Sequence, residues 1–225
     1  MTVGDPGRRV ALAGLVSGAA GVAALGWPGA ACAGAQVEEP LADAVRTALT
    51  AAIASSAPPP ELKFDSTDAH MAYLRWLFAM NGRLMKRKTE TQVRVEFLQT
   101  VWYESHRAGL EPALVLGLIQ VESGFRKYAI SVSGARGYMQ VMPFWSRQIG
   151  DGDPARLFVM QTNLRFGCVI MRHYLDVEKG DLFMALGRYN GSRGQAAYPD
   201  AVLGARKQWV LADAAAPQAS ATASR

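Results

Sequence analysis

The sequence predicts a mainly α-helical fold, and three observations predict it. Apolar residues recur at helical spacing through most of the chain between residues 61 and 210. No stretch of useful length alternates apolar and polar residues as a half-buried strand would. Glycine, proline and short polar residues fall where those periodic segments begin and end. With 225 residues, half of them hydrophobic, the chain has enough apolar material for one domain with a sizeable core plus tails.

The first helical segment opens at Ser66-Thr67-Asp68, whose side-chain oxygens suit an N-cap, and carries Met71, Leu74, Leu77, Phe78 and Met85 at near-helical spacing. A second runs from Thr91 to Arg107, with Val93, Phe97 and Val101 at i, i+4 and i+8, and Leu98 and Trp102 beside them. Gly109 ends it. Glu111-Pro112 restarts the chain, because proline in a first turn forfeits only an N–H that would be unpaired anyway. The third helix, Pro112 to about Ser123, is apolar nearly all round and is expected to be central. The polar stretch Ser131 to Gly137 follows as a loop into Tyr138-Met139-Gln140-Val141-Met142. Further helices are expected over Met160 to Leu175 and Leu182 to Arg188, then a turn at Asn190-Gly191.

Outside this body the chain changes character. Residues 1–33 read as an export signal, with Arg8-Arg9, an apolar run from Val10 to Trp27 and the small-residue site Ala31-Cys32-Ala33. Removing them takes away Arg8, Arg9 and Asp5 and lowers the net charge from +5 to +4. A lipid on Cys32 and an uncleaved anchor are the alternative fates of that segment. Residues 34–60 are rich in Ala, Ser and Pro and read as a spacer with a short helix over 41–54. Residues 61–90 form an accessory helical segment, 91–213 the functional domain, and 214–225 a disordered tail.

Composition sets the chemistry by exclusion. His70, His106 and His173 are scattered without metal-binding spacing, and no phosphate-binding loop is present, so neither a metal nor a cofactor is expected. Cys168 sits in the apolar run Leu164 to Ile170 and reads as a small buried hydrophobe. The basic run Lys86-Arg87-Lys88 and a pI near 9.4 suit an anionic wall or membrane, and no nucleic-acid-binding module accompanies them.

One residue breaks the apolar logic. Glu122 ends the oily segment Leu114 to Ile119, where burial and the negative end of the helix dipole both favour the neutral acid. A carboxylic acid kept protonated near neutral pH is what a general acid requires. Fifteen residues on begins Gly137-Tyr138-Met139-Gln140, and later comes Tyr189-Asn190-Gly191.

These residues carry a family resemblance. Glu122-Ser123-Gly124-Phe125 resembles the E-S-x-F motif of the soluble-type (SLT) lytic transglycosylases. The run from Gly134 to Pro143 resembles their G-A-x-G-L-M-Q-x-M-P element, with Tyr138 in place of the usual leucine. Ala185 to Gly191 resembles A-x-x-x-Y-N-x-G. The likeness covers roughly residues 91 to 210. It implies a lysozyme-like helical domain, acting as a monomer on peptidoglycan glycan strands, that cleaves the β-1,4 bond after N-acetylmuramic acid and leaves a 1,6-anhydro end. It also implies that Glu122 is acid and then base and that Tyr189 hydrogen-bonds and positions it. Ser131 and Ser133 would sit beside the carboxyl and the substrate's N-acetyl group, and Ser123, Gln140, Met142 and Asn190 would line the glycan cleft. Each has a plainer reading: the serines as loop caps, Met142 as core and Asn190 as a turn former. Trp102, Trp145 and Trp209 are sugar platforms or core. Glu104, Glu111, Asp151, Asp153 and Asp176 read as surface, cap or turn residues. The signal segment predicts an exported, periplasmic protein, membrane-associated if that segment is lipidated or kept as an anchor. A goose-type hydrolytic lysozyme and a non-catalytic wall-binding component of an envelope assembly remain as rival functions.

Overall fold

In the computed structural model, residues 36–54, 59 and 61–211 are described. The expected export signal, residues 1–33, and the expected C-terminal tail, residues 214–225, lie outside them. Among the described residues eight α-helices follow in order: α1 Asp43–Ile53, α2 Thr67–Leu84, α3 Thr91–Arg107, α4 Pro112–Ser123, α5 Pro143–Ile149, α6 Met160–Val177, α7 Leu182–Asn190 and α8 Ala197–Arg206. A short 3-10 turn, Pro154–Phe158, precedes α6. Among the described residues the only β-type pairings are two isolated antiparallel bridges, Ile130 with Arg136 and Arg136 with Val141. The fold is therefore mainly α, as the periodicity predicts. None of the described helices is long and apolar enough to cross a membrane.

The boundaries follow local chemistry. Ser66 caps α2 by accepting from the Ala69 N–H at 3.1 Å. Asp181 caps α7 in the same way through Met184 N–H at 3.0 Å. α4 starts with Pro112 in its first turn and is buried on every side from Ala113 to Ile119, so it forms a buried axis, packed mainly against α8 and α3. A substituent at Gly117 in that axis would lie 2.7 Å from the backbone nitrogen of Arg206 and 2.9 Å from its Cα. Glycine there lets α8 approach α4 backbone to backbone.

Three expectations change in three dimensions. The segment read as a spacer is packed: Leu49 and Ile53 of α1 are in the core, α1 lies against α5 and α6, and Gln36 is buried. Glu104 is not a surface acid. It is 1% exposed and receives Arg165 at 2.6 Å and 3.0 Å across α3 and α6. In α2, the residues that bury against the core are Tyr73, Trp76, Met80 and Leu84, whereas Met71, Leu74, Phe78 and Met85 are exposed. The helix carries two apolar stripes, and the aromatic one pairs with Trp102 of α3 at 5.1 Å from Tyr73 and 4.7 Å from Trp76.

α2 nevertheless belongs to the body of the domain. Arg94 of α3, 4% exposed, donates to Asn81 Oδ1, the Lys88 and Thr89 carbonyls and Thr91 Oγ1. Lys88 donates to the Tyr138 hydroxyl at 2.6 Å while its ammonium lies over the Phe97 and Tyr138 rings. Tyr138, the departure from the leucine of the motif, thus carries a hydroxyl that the accessory segment uses.

Candidate active site

Glu122 occupies the last turn of α4, where the side chain is 7% exposed. Burial pushes its carboxyl up to about 8, against the smaller opposing effect of a hydrogen bond from Tyr198. The acid is therefore predominantly protonated at neutral pH. Tyr198 of α8 donates its hydroxyl to Glu122 Oε1. The second oxygen, Oε2, is buried and has no hydrogen-bond partner among the described residues. One oxygen is held and the other is unpaired among the described residues. No second carboxylate contributes to the shift at Glu122.

The tyrosine hydrogen-bonded to the acid is thus Tyr198 and not Tyr189. The Tyr189 hydroxyl donates to the Met139 carbonyl at 2.8 Å instead. Tyr189 remains close enough for Glu122 to help raise its own phenol, burial being the main cause. Its geometry makes it a tie between α7 and the loop after the acid. Tyr198 was legible in principle: Tyr198, Val202, Ala205 and Trp209 recur at i, i+4, i+7 and i+11 and mark an apolar helix face. What no spacing reveals is that α8 crosses α4 at Gly117, which brings that face onto the acid.

The loop from Phe125 to Met142 forms a wall beside Glu122. Ser123 Oγ donates to the Tyr138 carbonyl at 2.7 Å, so this serine, 1% exposed, spends its hydroxyl on the wall. Ser131 Oγ accepts from the Ala135 N–H at 3.0 Å, the loop-cap role. Ser133 is exposed. Gln140 sends its amide hydrogens to the Gly137 carbonyl at 3.0 Å and the Ala129 carbonyl at 3.1 Å, and is 3% exposed. Phe125 and Gln140 both take left-handed backbone angles, φ 68° and 47°, a conformation that costs non-glycine residues of order 1 kcal/mol each. Met142 is half-buried at the start of α5. Asn190, 6% exposed, donates to Ser192 Oγ at 3.0 Å, and its buried Oδ1 has no partner.

Asn163 of α6 holds this wall from behind. Its Oδ1 accepts from Met139 N–H, and its Nδ2 donates to the Arg136 and Leu157 carbonyls, all at 2.8 Å. The neighbouring Gly137 has φ 76°, and a substituent on it would lie 2.4 Å from Asn163 Nδ2. Trp145 and Trp209 are 2% and 3% exposed and serve as core. Cys168 is fully buried, which pushes its thiol well above its ordinary value. Among the described residues no group of three His, Cys, Asp or Glu converges as a metal centre would need. In chemical terms the arrangement holds one neutral carboxylic acid, with a free oxygen, against a braced backbone wall.

The sequence family described as the Transglycosylase SLT domain matches residues 100–210. The domain those residues form belongs to this family. Among curated relatives, membrane-bound lytic murein transglycosylase C of Actinobacillus pleuropneumoniae is 31% identical over 99 residues, covering 41% of this chain and 24% of that protein. A transglycosylase of Enterobacteria phage PRD1 is 31% identical over 102 residues, 45% of this chain and 37% of its own length. The chain thus spans about a quarter to two fifths of these relatives. Among solved structures, an inactive variant of the lytic transglycosylase Slt from Pseudomonas aeruginosa aligns over 62% of this chain and 27% of its own, at 21% identity and a TM-score of 0.40.

Proposed function

We propose that this chain is a peptidoglycan lytic transglycosylase of the cell envelope, exported by residues 1–33, whose residues 91–213 form a lysozyme-like catalytic domain. The observation that carries the reading is Glu122: buried, neutral at pH 7, held at one oxygen by Tyr198 and unpartnered at the other. In the proposed reaction its proton passes to the bridging oxygen between N-acetylmuramic acid and N-acetylglucosamine as the C1–O bond breaks. The N-acetyl carbonyl of the substrate stabilises the sugar cation, so no second carboxylate is required. The resulting carboxylate then takes the proton of the muramoyl C6 hydroxyl while O6 bonds to C1. Glu122 ends as it began, and no water is consumed.

Tyr198 is the proposed positioning residue, and Tyr189 keeps the wall in register with α7. Asn190, with its unpaired Oδ1, and Met142 are the proposed glycan contacts; Ser131 and Ser133 remain candidates at the loop rim. Because the donors of Ser123 and Gln140 are committed to backbone carbonyls, we assign them to the shape of the wall.

Mass analysis of fragments released from purified sacculi tests the reading. Anhydro-muropeptides from the wild type, with release reduced at least about a hundredfold in Glu122→Gln, are expected. Reducing muramic ends would instead establish a hydrolytic lysozyme, and no release would leave a wall-binding component.

A further inference from the structure

Among the described residues the exposed stripe of α2 has no packing partner. Phe78 is 83% exposed, Met85 54%, Met71 45% and Leu74 40%. Their spacings of three, four and seven place them on one ridge about 21 Å long, roughly 140° around the helix from the buried Tyr73, Trp76, Met80 and Leu84. Singly exposed apolar residues are ordinary; four in line on a helix that already has a core face are not.

Asp68 opens the helix and Glu61 and Glu96 stand beside Leu74, but along the C-terminal half of the ridge the charge is of one sign. From Ala69 to Thr89 there are five cations, Arg75, Arg83, Lys86, Arg87 and Lys88, and no Asp or Glu. Arg83 reaches the Gln208 and Val210 carbonyls and Lys88 reaches Tyr138, but Arg75 and Lys86 are exposed and have no ion-pair partner among the described residues. Arg87, also exposed, lies over the Phe125 ring. An apolar ridge flanked by unneutralised cations is the pattern of a helix that lies in the plane of a membrane interface.

We propose that the outer face of α2 docks on an anionic lipid bilayer, with Phe78, Met71, Leu74 and Met85 entering the headgroup and acyl boundary and Arg75, Lys86 and Arg87 meeting lipid phosphates. A second copy of the chain fits this face poorly, because a two-fold contact would bring the same cations together. Glycan fits it poorly too, since hydroxylated sugar gives methionine and leucine little to bury against. The docking is independent of the proposed lyase reaction. Lys88 and Arg87 fix the C-terminal end of the ridge to Tyr138 and Phe125, so a docked α2 would hold the wall beside Glu122 at a set height above the lipid.

The test follows the ridge itself, so that a retained N-terminal anchor does not confuse it. In the full chain with Cys32→Ser, an environment-sensitive fluorophore is attached to Phe78→Cys, with Gln195→Cys as the labelled control. Vesicles of phosphatidylcholine with phosphatidylglycerol are compared with phosphatidylcholine alone. The label at 78 is expected to shift to the blue on the anionic vesicles only, to revert in high salt, and to lose affinity about fivefold for each cation removed. Lys86→Glu with Arg87→Glu should therefore abolish the shift. The proposal fails if the label at 78 stays water-like, if the control label shifts equally, or if the charge reversals leave the shift intact. A concentration-dependent shift without vesicles would assign the ridge to self-association and overturn it as well.

Discussion

At the scale of single residues the proposed reaction depends on the protonation of Glu122. Desolvation raises the carboxyl to about 8 and the Tyr198 hydrogen bond opposes it, so removing that bond raises it further. Tyr198→Phe is expected to lower activity roughly ten- to a hundredfold and to move the alkaline limb of the pH-rate profile to higher pH. A profile that keeps its limb while activity falls would assign Tyr198 to packing alone. The same shift has a stability consequence. Between the ordinary value near 4.5 and the folded value of about 8 the folded state binds the extra proton, so stability declines as pH rises through that window. Glu122→Gln cannot ionise and should remove the decline, leaving the variant more stable than wild type at pH 8 by several kcal/mol in order of magnitude. Melting temperatures of both proteins from pH 4 to 9 measure it.

At the scale of elements the decisive contact is α4 against α8. The acid was legible from one helix, because Glu122 ends an apolar run. That Tyr198 would bond it was not, because Tyr198 lies 76 residues away on a helix whose approach depends on Gly117. Gly117→Ala should force Arg206 and its helix outward, destabilise the fold by about 1–3 kcal/mol and loosen the hold on Glu122. Urea denaturation reads the first effect and the pH-rate profile the second. The wall shows the same division. The motif order revealed that residues 137 to 143 matter, while the choice of Tyr138 made sense only with Lys88 in place. The α2 periodicity was legible too, yet sequence could not say which of two apolar stripes the aromatic cluster of Tyr73, Trp76 and Trp102 would claim.

The whole molecule is tied together by parts that lie outside the family match. Gln36 is buried at 7% exposure, accepts from Trp145 Nε1 at 2.8 Å and donates to the Tyr189 carbonyl, so it joins α5 to α7. Arg188 continues the tie by pairing with Glu39 at 3.0 Å and Glu178 at 2.8 Å. Gln36→Ala leaves a buried indole N–H and a carbonyl unpaired, and should cost about 1–3 kcal/mol in the chemical denaturation midpoint. A midpoint equal to wild type would show that water replaces the amide there.

By itself the sequence determined what local chemistry can determine: helices from periodicity and caps, the buried axis from its unbroken apolar run, and an acid made neutral by its neighbours in the chain. Tertiary structure decided what depends on distant segments meeting. It chose Tyr198 over Tyr189 for Glu122, buried Glu104 against Arg165, packed the supposed spacer and left one face of α2 exposed. Hydrophobic spacing states that a face will be buried, but which partner covers it is settled only by the crossing of helices far apart in the chain.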